Sequence, residues 1–196
     1  MDAGPPDAGP PDAGPMDAGP ACPIGPGSLV IDEVMISSVS GSGDRGEWFE
    51  IVSTLSCTAN LAGLTIVSPT GGGVEKSHTI ASGTIRSGQY FVFALSSAPA
   101  DNHGLSLDYA YGTGGSDDVI LNNSADWLEL RDGATVIDRV AWPSGGFTNG
   151  ASRQYPGSAD ASANDNWSLW CDSVPVYSMT GGTFHGTPQA ANRLCP

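Results

Sequence analysis

The side chains of this sequence that could do chemistry are few and scattered. The three histidines, His78, His103 and His185, lie in separate Gly- or Ser-rich stretches. A metal site or a catalytic triad therefore depends on the fold gathering them. Glu47 and Glu50 tempt as a glycosidase carboxyl pair, but three residues apart on a strand they point to opposite faces. Oxygen-rich stretches at Asp117-Asp118 and between Asp160 and Asp165 offer hard ligands of the kind calcium takes. Asp160, Ser162 and Asn164 alternate like the start of an EF-hand, yet the Gly and the bidentate Glu that such a loop needs further on are absent. Gly114-Gly115-Ser116-Asp117 resembles one calcium β-roll repeat, and one copy is not a roll. No G-x-S-x-G, H-E-x-x-H, P-loop or dinucleotide fingerprint occurs. The expectation is a chain with no catalytic residue, no metal and no cofactor. Trp142, Tyr109, Tyr111, Phe147 and Tyr155 could form a carbohydrate platform, although packing is the stronger expectation for them. Asn122 and Asn166 begin Asn-x-Ser patterns that matter only in a host that glycosylates them.

The four cysteines, Cys22, Cys57, Cys171 and Cys195, form an even set without C-x-x-C spacing, which points to two disulfides rather than a zinc ribbon or a redox motif. Disulfides persist in oxidising compartments, so the expected location is extracellular or cell-surface. Three pairings are possible. Termini are often close together, which favours Cys22 with Cys195 and Cys57 with Cys171.

Of the 196 residues, 21 are acidic and 7 basic, a formal charge of -14, and Lys76 is the one lysine. Such a surface repels a phosphate backbone, so nucleic acid is not an expected partner. Residues 2 to 20 repeat Asp-Ala-Gly-Pro, broken by Pro6, Pro11 and Met16. With no apolar face to bury, this stretch cannot fold alone. Proline at that density biases it towards polyproline II, a semi-rigid spacer of about 50 to 60 Å at about 3.1 Å per residue. Residues 1-21 are thus read as a linker and 22-196 as one folded domain. Asp2, Pro5, Asp7, Pro10, Asp12, Pro15, Asp17 and Pro20 are the residues that would serve if the linker instead docks on a neighbouring subunit. No apolar run is long enough to span a bilayer, and a leader peptide is expected to precede this stretch in the natural chain.

Charged residues make up only 14% of the chain against 27 Gly and 15 Pro, a balance that favours short strands over helices. Seven β-rich runs recur between turn clusters: Leu29 to Ile36, Trp48 to Val52, Leu64 to Val67, Tyr90 to Leu95, Val119 to Leu121, Trp127 to Leu130 and Val136 to Trp142. That is a sandwich count. Asp132-Gly133 reads as a hairpin turn. In Trp48-Phe49-Glu50-Ile51, alternation places Phe49 and Ile51 in the core and Trp48 and Glu50 on the opposite face of a half-buried strand. The long Gly-, Asn- and Ser-rich stretch after Trp142 is expected to cover the end of the sandwich, stapled through Cys171 and Cys195.

These residues, in this order, resemble the lamin tail domain. Leu29-Val30-Ile31-Asp32-Glu33-Val34-Met35 is similar to the family's first strand, and Gly46-Glu47-Trp48-Phe49-Glu50-Ile51 to its Gly-Glu-Trp-aliphatic-Glu strand. Leu61-Ala62-Gly63-Leu64 departs from the family's Leu-x-Gly-Trp by carrying Leu64, and Ala125 stands where Gly is preferred in the Leu-x-Asn-x-Gly-Asp hairpin of residues 121 to 126. Gly186-Thr187-Pro188-Gln189-Ala190-Ala191-Asn192 is similar to the closing element of bacterial extracellular members. The resemblance implies an all-β, immunoglobulin-like β-sandwich that acts as a non-catalytic structural or adhesion module. Two alternatives accompany that expectation: a self-assembling fibre subunit with the tail as connector, and an accessory glycan-binding domain. The expected partners are accordingly a surface protein, a glycan or further copies of this chain.

Overall fold

A computed structural model describes residues 21–40, 43–69, 73–116 and 118–196. The chain forms β1 (Leu29–Met35), β2 (Trp48–Ser53), β3 (Ala59–Asn60), β4 (Thr65–Pro69), β5 (Glu75–Thr79), β6 (Thr84–Ile85), β7 (Tyr90–Ala94) and β8 (Tyr109–Ala110). There follow β9 (Asp126–Asp132), β10 (Thr135–Trp142), β11 (Arg153–Gln154), a 3₁₀ turn (Trp167–Leu169), β12 (Cys171–Asp172), β13 (Val176–Ser178) and β14 (Phe184–His185). One sheet runs in the order β12-β11-β1-β2-β7-β8, and β10-β9-β4-β5 faces it. This is the all-β sandwich expected of the sequence.

The core lies between the sheets. Leu29, Ile31, Val34 and Ile36 all reach it although their numbering changes parity. The cause is a bulge between Ile31 and Glu33, which inserts one extra residue and resets the alternation. Phe49, Ile51, Phe91 and Phe93 meet Ile66, Leu128, Leu130 and Val140 from the opposite sheet. Phe49 stacks on Phe93 at 4.8 Å. The Asp132-Gly133 hairpin forms as read: Thr135 pairs Asp132, and Gly133 alone takes positive φ, at 55°, as a two-residue turn with Gly first requires.

Three expectations need correction. Residues 119 to 121 form no strand. The Leu121 amide bonds the Glu47 side chain and the Ile120 carbonyl accepts from Ser68, so side chains replace a strand partner there. Strand β2 is not half-buried, because Trp48 and Glu50 are as covered as Phe49 and Ile51. The cover comes from Leu105 and Leu107 and from the segment after Trp142, whose Tyr177 lies on the outer face of the six-stranded sheet and whose β11 and β12 extend its β1 edge, while its Tyr155 and Trp170 join the inner core with Trp167 packed against it.

The disulfides are Cys22–Cys57 and Cys171–Cys195, not the favoured Cys22 with Cys195 and Cys57 with Cys171. Each terminus is bound to its local neighbour. The Cys22 amide donates to the Thr58 carbonyl at 2.9 Å beside Cys57. Gln154, paired with Cys171 across β11 and β12, donates to the Arg193 carbonyl at 2.7 Å and draws the C-terminus in. Non-reducing peptide mapping should recover these two linkages. Replacing either pair by serines should lower unfolding free energy by about 3 to 4 kcal/mol, the loop-entropy value for these separations, read by urea denaturation.

Candidate functional site

The structure gathers one Ser, His and Asp. The Ser38 hydroxyl donates to Asp44 Oδ1 at 2.5 Å, and His103 Nε2 lies 3.2 Å from the Ser38 oxygen. The wiring is not that of a nucleophile, because the carboxylate holds the serine rather than the imidazole. Asp44 also accepts the amides of Ser38, Val39 and Gly46, and Phe184 stacks on His103 at 3.9 Å. Ser38 is 2% exposed. The cluster pins the loop before β2 to the 98–104 loop and the C-terminal hairpin. No sequence motif joins residues so far apart, so nothing short of the fold could have shown it.

The other candidates disperse. His78 bonds the Tyr109 hydroxyl at 2.9 Å, and His185 Nδ1 lies 2.7 Å from the Val174 carbonyl. Asp118 is turned inward on the Thr113 amide and hydroxyl and the Gly114 amide. Burial pushes its carboxyl up, but these donors outweigh burial and hold it below the usual range. Asp117 lies outside the described residues. Asp160 caps its own turn through the Ser162 and Ala163 amides, while Asn164 points inward to the Ile31 carbonyl and Asp138. Among the described residues, no three His, Cys, Asp or Glu converge as a metal site would require. Of the proposed aromatic platform, Trp142, Tyr111 and Tyr155 are buried in the core, with Tyr109 and Phe147 packed against it. A half-buried aromatic outside that set, Trp127, stands beside two arginines. Arg139 lies 4.7 Å above its ring, and the ring lines an open groove of about 440 Å³ with Pro69, Glu75, Asn122 and Trp142. The tail residues Asp2, Pro5, Asp7, Pro10, Asp12, Pro15, Asp17 and Pro20 lie outside the described residues.

The densest chemistry sits on the outer face of the six-stranded sheet. In register across it run Gln154 of β11, Glu33 of β1, Glu50 of β2 and Val92 of β7. Both glutamates are wholly buried. Asp32 joins them from the bulge, and Asp108 flanks the row by accepting the Val92 amide at 2.8 Å. Residues 186 to 192 cross above as a strap. The Thr187 amide donates to Glu33 at 2.9 Å, the Gln189 amide to Glu50, and Asn192 to the Asp32 carbonyl at 2.8 Å. Burial pushes the Glu33 carboxyl up to about 7 against the hydrogen bonds of Ser152 and Thr187. Burial, reinforced by Asp32 and Glu33, pushes Glu50 to about 10. Asp32 is raised as well, chiefly by burial.

A family model for the lamin tail domain matches residues 23–144. The chain belongs to the lamin tail domain family. No curated protein matches it. Lamin tail domains are non-catalytic, immunoglobulin-like structural modules, in keeping with a Ser38–His103–Asp44 cluster wired for packing. The match spans β1 to β10 and stops before β11, so the donors that cap Glu33 and Glu50 come from outside the lamin-tail segment.

A further buried acid, away from the row, bonds the same extension. Asp138 of β10 accepts the Ile31 amide at 2.6 Å and the Asn164 side chain at 2.7 Å, which satisfies the backbone that the β1 bulge strands. Burial pushes its carboxyl to about 7. The folded protein thus keeps protons on Glu33 and Asp138 that the unfolded chain has lost, and stability falls as pH rises between the unfolded values and about 7. Urea unfolding from about pH 4.5 to 7.5 should show that decline, with Glu33 alone contributing up to about 3 kcal/mol. Glu33→Gln and Asp138→Asn should each flatten it.

Proposed function

We propose that this lamin tail domain is a non-catalytic module displayed outside the cell, of the bacterial extracellular type, held away from its anchor by the Asp-Ala-Gly-Pro tail and offering its surface to a protein partner. The observation that carries the reading is the pair of disulfides at both ends of the folded part, Cys22–Cys57 and Cys171–Cys195, since such bonds endure in oxidising compartments. Ser38, Asp44, His103, Asp118 and Asp160 support it, because their side chains are occupied in holding loops together. Among the described residues, no helix is long and apolar enough to cross a membrane.

A second reading, a self-assembling extracellular subunit, draws on the C-terminal hairpin. Val174, Val176 and Met179 there are 65%, 51% and 78% exposed, an apolar surface of the kind that marks contact sites. The glycan-binding reading draws on Trp127 and its groove.

Light scattering of the protein with and without residues 1 to 20 separates these readings. The display module is expected to be a monomer in both forms. Assemblies that vanish on truncation would replace it with the fibre subunit. A glycan array in which binding is lost on Trp127→Ala would replace it with the glycan reading.

A further inference from the structure

The strap over the carboxyl row is short of hydrogens. Asp32 Oδ1, Glu50 Oε1 and Gln154 Oε1 are buried acceptors with no hydrogen-bond partner among the described residues. The donors that do reach the row are shared. The Thr187 hydroxyl lies 2.9 Å from Glu33 Oε2 and 2.7 Å from Asn192 Oδ1, and the Ser152 hydroxyl faces both Glu33 Oε1 and the His185 carbonyl. Each hydroxyl has one hydrogen to give. A proton on Glu33 that donates to Thr187 frees the threonine to donate to Asn192. Protons on Asp32 and Glu50 relieve the two carboxyl oxygens left without donors. The hydrogens that the chain does not supply are therefore those of protonated carboxyl groups.

The strap is also strained where it meets the row. Gln189 adopts φ of 64°, left-handed backbone that a non-glycine residue holds only when its surroundings enforce it. Its amide is bound to Glu50, and its side chain to Asp108 at 3.3 Å and Ser106 at 3.2 Å. At the head of the strap, Gly186 lies so near Trp48, Tyr177 and Glu33 that an ideal Cβ would sit 3.0 Å from both rings and 3.2 Å from the carboxyl.

We propose that residues 186 to 192 are a proton-held latch, closed on the six-stranded sheet while Asp32, Glu33 and Glu50 keep their hydrogens and lifting as those groups ionise. Ionisation leaves neighbouring carboxylates buried together without counter-charge, a state far costlier than an open strap with hydrated acids. The groups that act on the row are acidic or neutral: Asp108 beside β8, Tyr90 of β7, Tyr177 of the hairpin, Gln154 of β11 and Asp138 of β10, and Arg193 meets it through its carbonyl, which accepts from Gln154 at 2.7 Å. Arg153, the cation on β11, turns to Asp172 at 3.0 Å and to the Trp170 carbonyl at 2.6 Å. Closure is thus complete below the ordinary glutamate range and is lost through about 7, where Glu33 titrates, towards about 10, where Glu50 does. Cys171–Cys195 keeps the far end tethered, so the movement is confined to the strap. Opened, the sheet presents the carboxylate row and the edge of Trp48.

Hydrogen–deuterium exchange mass spectrometry of the intact protein, from about pH 5 to about pH 9 and normalised to intrinsic exchange, tests this. Protection of peptides spanning residues 186 to 192 should fall by about tenfold or more, the equivalent of one pH unit of uncompensated titration. Peptides from β2 and β7 should keep theirs. Glu50→Gln, whose carboxamide carries hydrogens at every pH, should shrink the fall, and Asp32→Asn makes the same test if the first variant does not fold. Strap protection that stays constant with pH, or that falls together with the strands, overturns the proposal, as does a fall undiminished in a folded variant.

Discussion

The constraint on which the rest of this structure depends is the burial of Glu33 and Glu50 side by side. The register of β1 and β2 sets them directly opposite each other, and both are wholly buried. Acids so placed are tolerable only where donors reach them or protons neutralise them. The C-terminal third answers that demand. Its strap supplies two amides and a hydroxyl, β11 is preceded by the Ser152 hydroxyl, and Asn192 fastens the strap to the bulge that sets Asp32 beside Glu33. Had β1 paired with β2 one residue out of register, one of the two glutamates would face the core and that strand's apolar row the outer face.

The same device recurs through the molecule and bears on its acidity alongside solubility. At several places where an amide lacks a strand partner, a carboxyl group accepts it: Asp44 in the loop before β2, Glu47 at Leu121, Asp118 at Thr113 and Gly114, Asp126 at Asn122, Asp138 at Ile31 beside the β1 bulge. A Gly-rich chain with few regular elements has many such amides to satisfy, and acids are acceptors of high capacity. The surplus of negative charge follows from an inside full of amide acceptors as much as from an outside facing water.

What the sequence disclosed was what periodicity and turn chemistry encode. Six of the seven expected strands are present within a residue or two, as are the Asp132-Gly133 hairpin and the core positions Phe49 and Ile51. Polar β5, Glu-Lys-Ser-His-Thr, escaped because it forms an edge with little to bury, and the two-residue strands escaped because no period fits in two residues. The disulfide pairing failed on an assumption about termini, when the local contacts Cys22–Thr58 and Gln154–Arg193 decide it. The carboxyl row was hidden by alternation itself. Glu50 opposite Phe49 reads as a solvent-facing residue on any half-buried strand, and only the later arrival of the strap turns that face into an interior.

That late arrival bears on where the folding unit ends. Residues 23–144 carry the family match and most of the inner core, to which Tyr155 and Trp170 of the extension also belong. A chain cut after β10 would leave β1 as an open edge and expose Trp48, Met35 and Val92 on the outer face. Bare edges and apolar faces of that kind favour association over solubility. Glu33, Glu50 and Asp32 would at the same time gain water and return towards ordinary carboxylate behaviour, which relieves the charge penalty while the apolar burial is forfeited. The two changes oppose each other, and the balance turns on the surface around Met35, Trp48, Val92, Ala94 and Leu105. The extension is therefore best understood as the second half of one fold: it completes a sheet, covers an apolar patch, and makes carboxyl groups hold protons where they would otherwise hold charge.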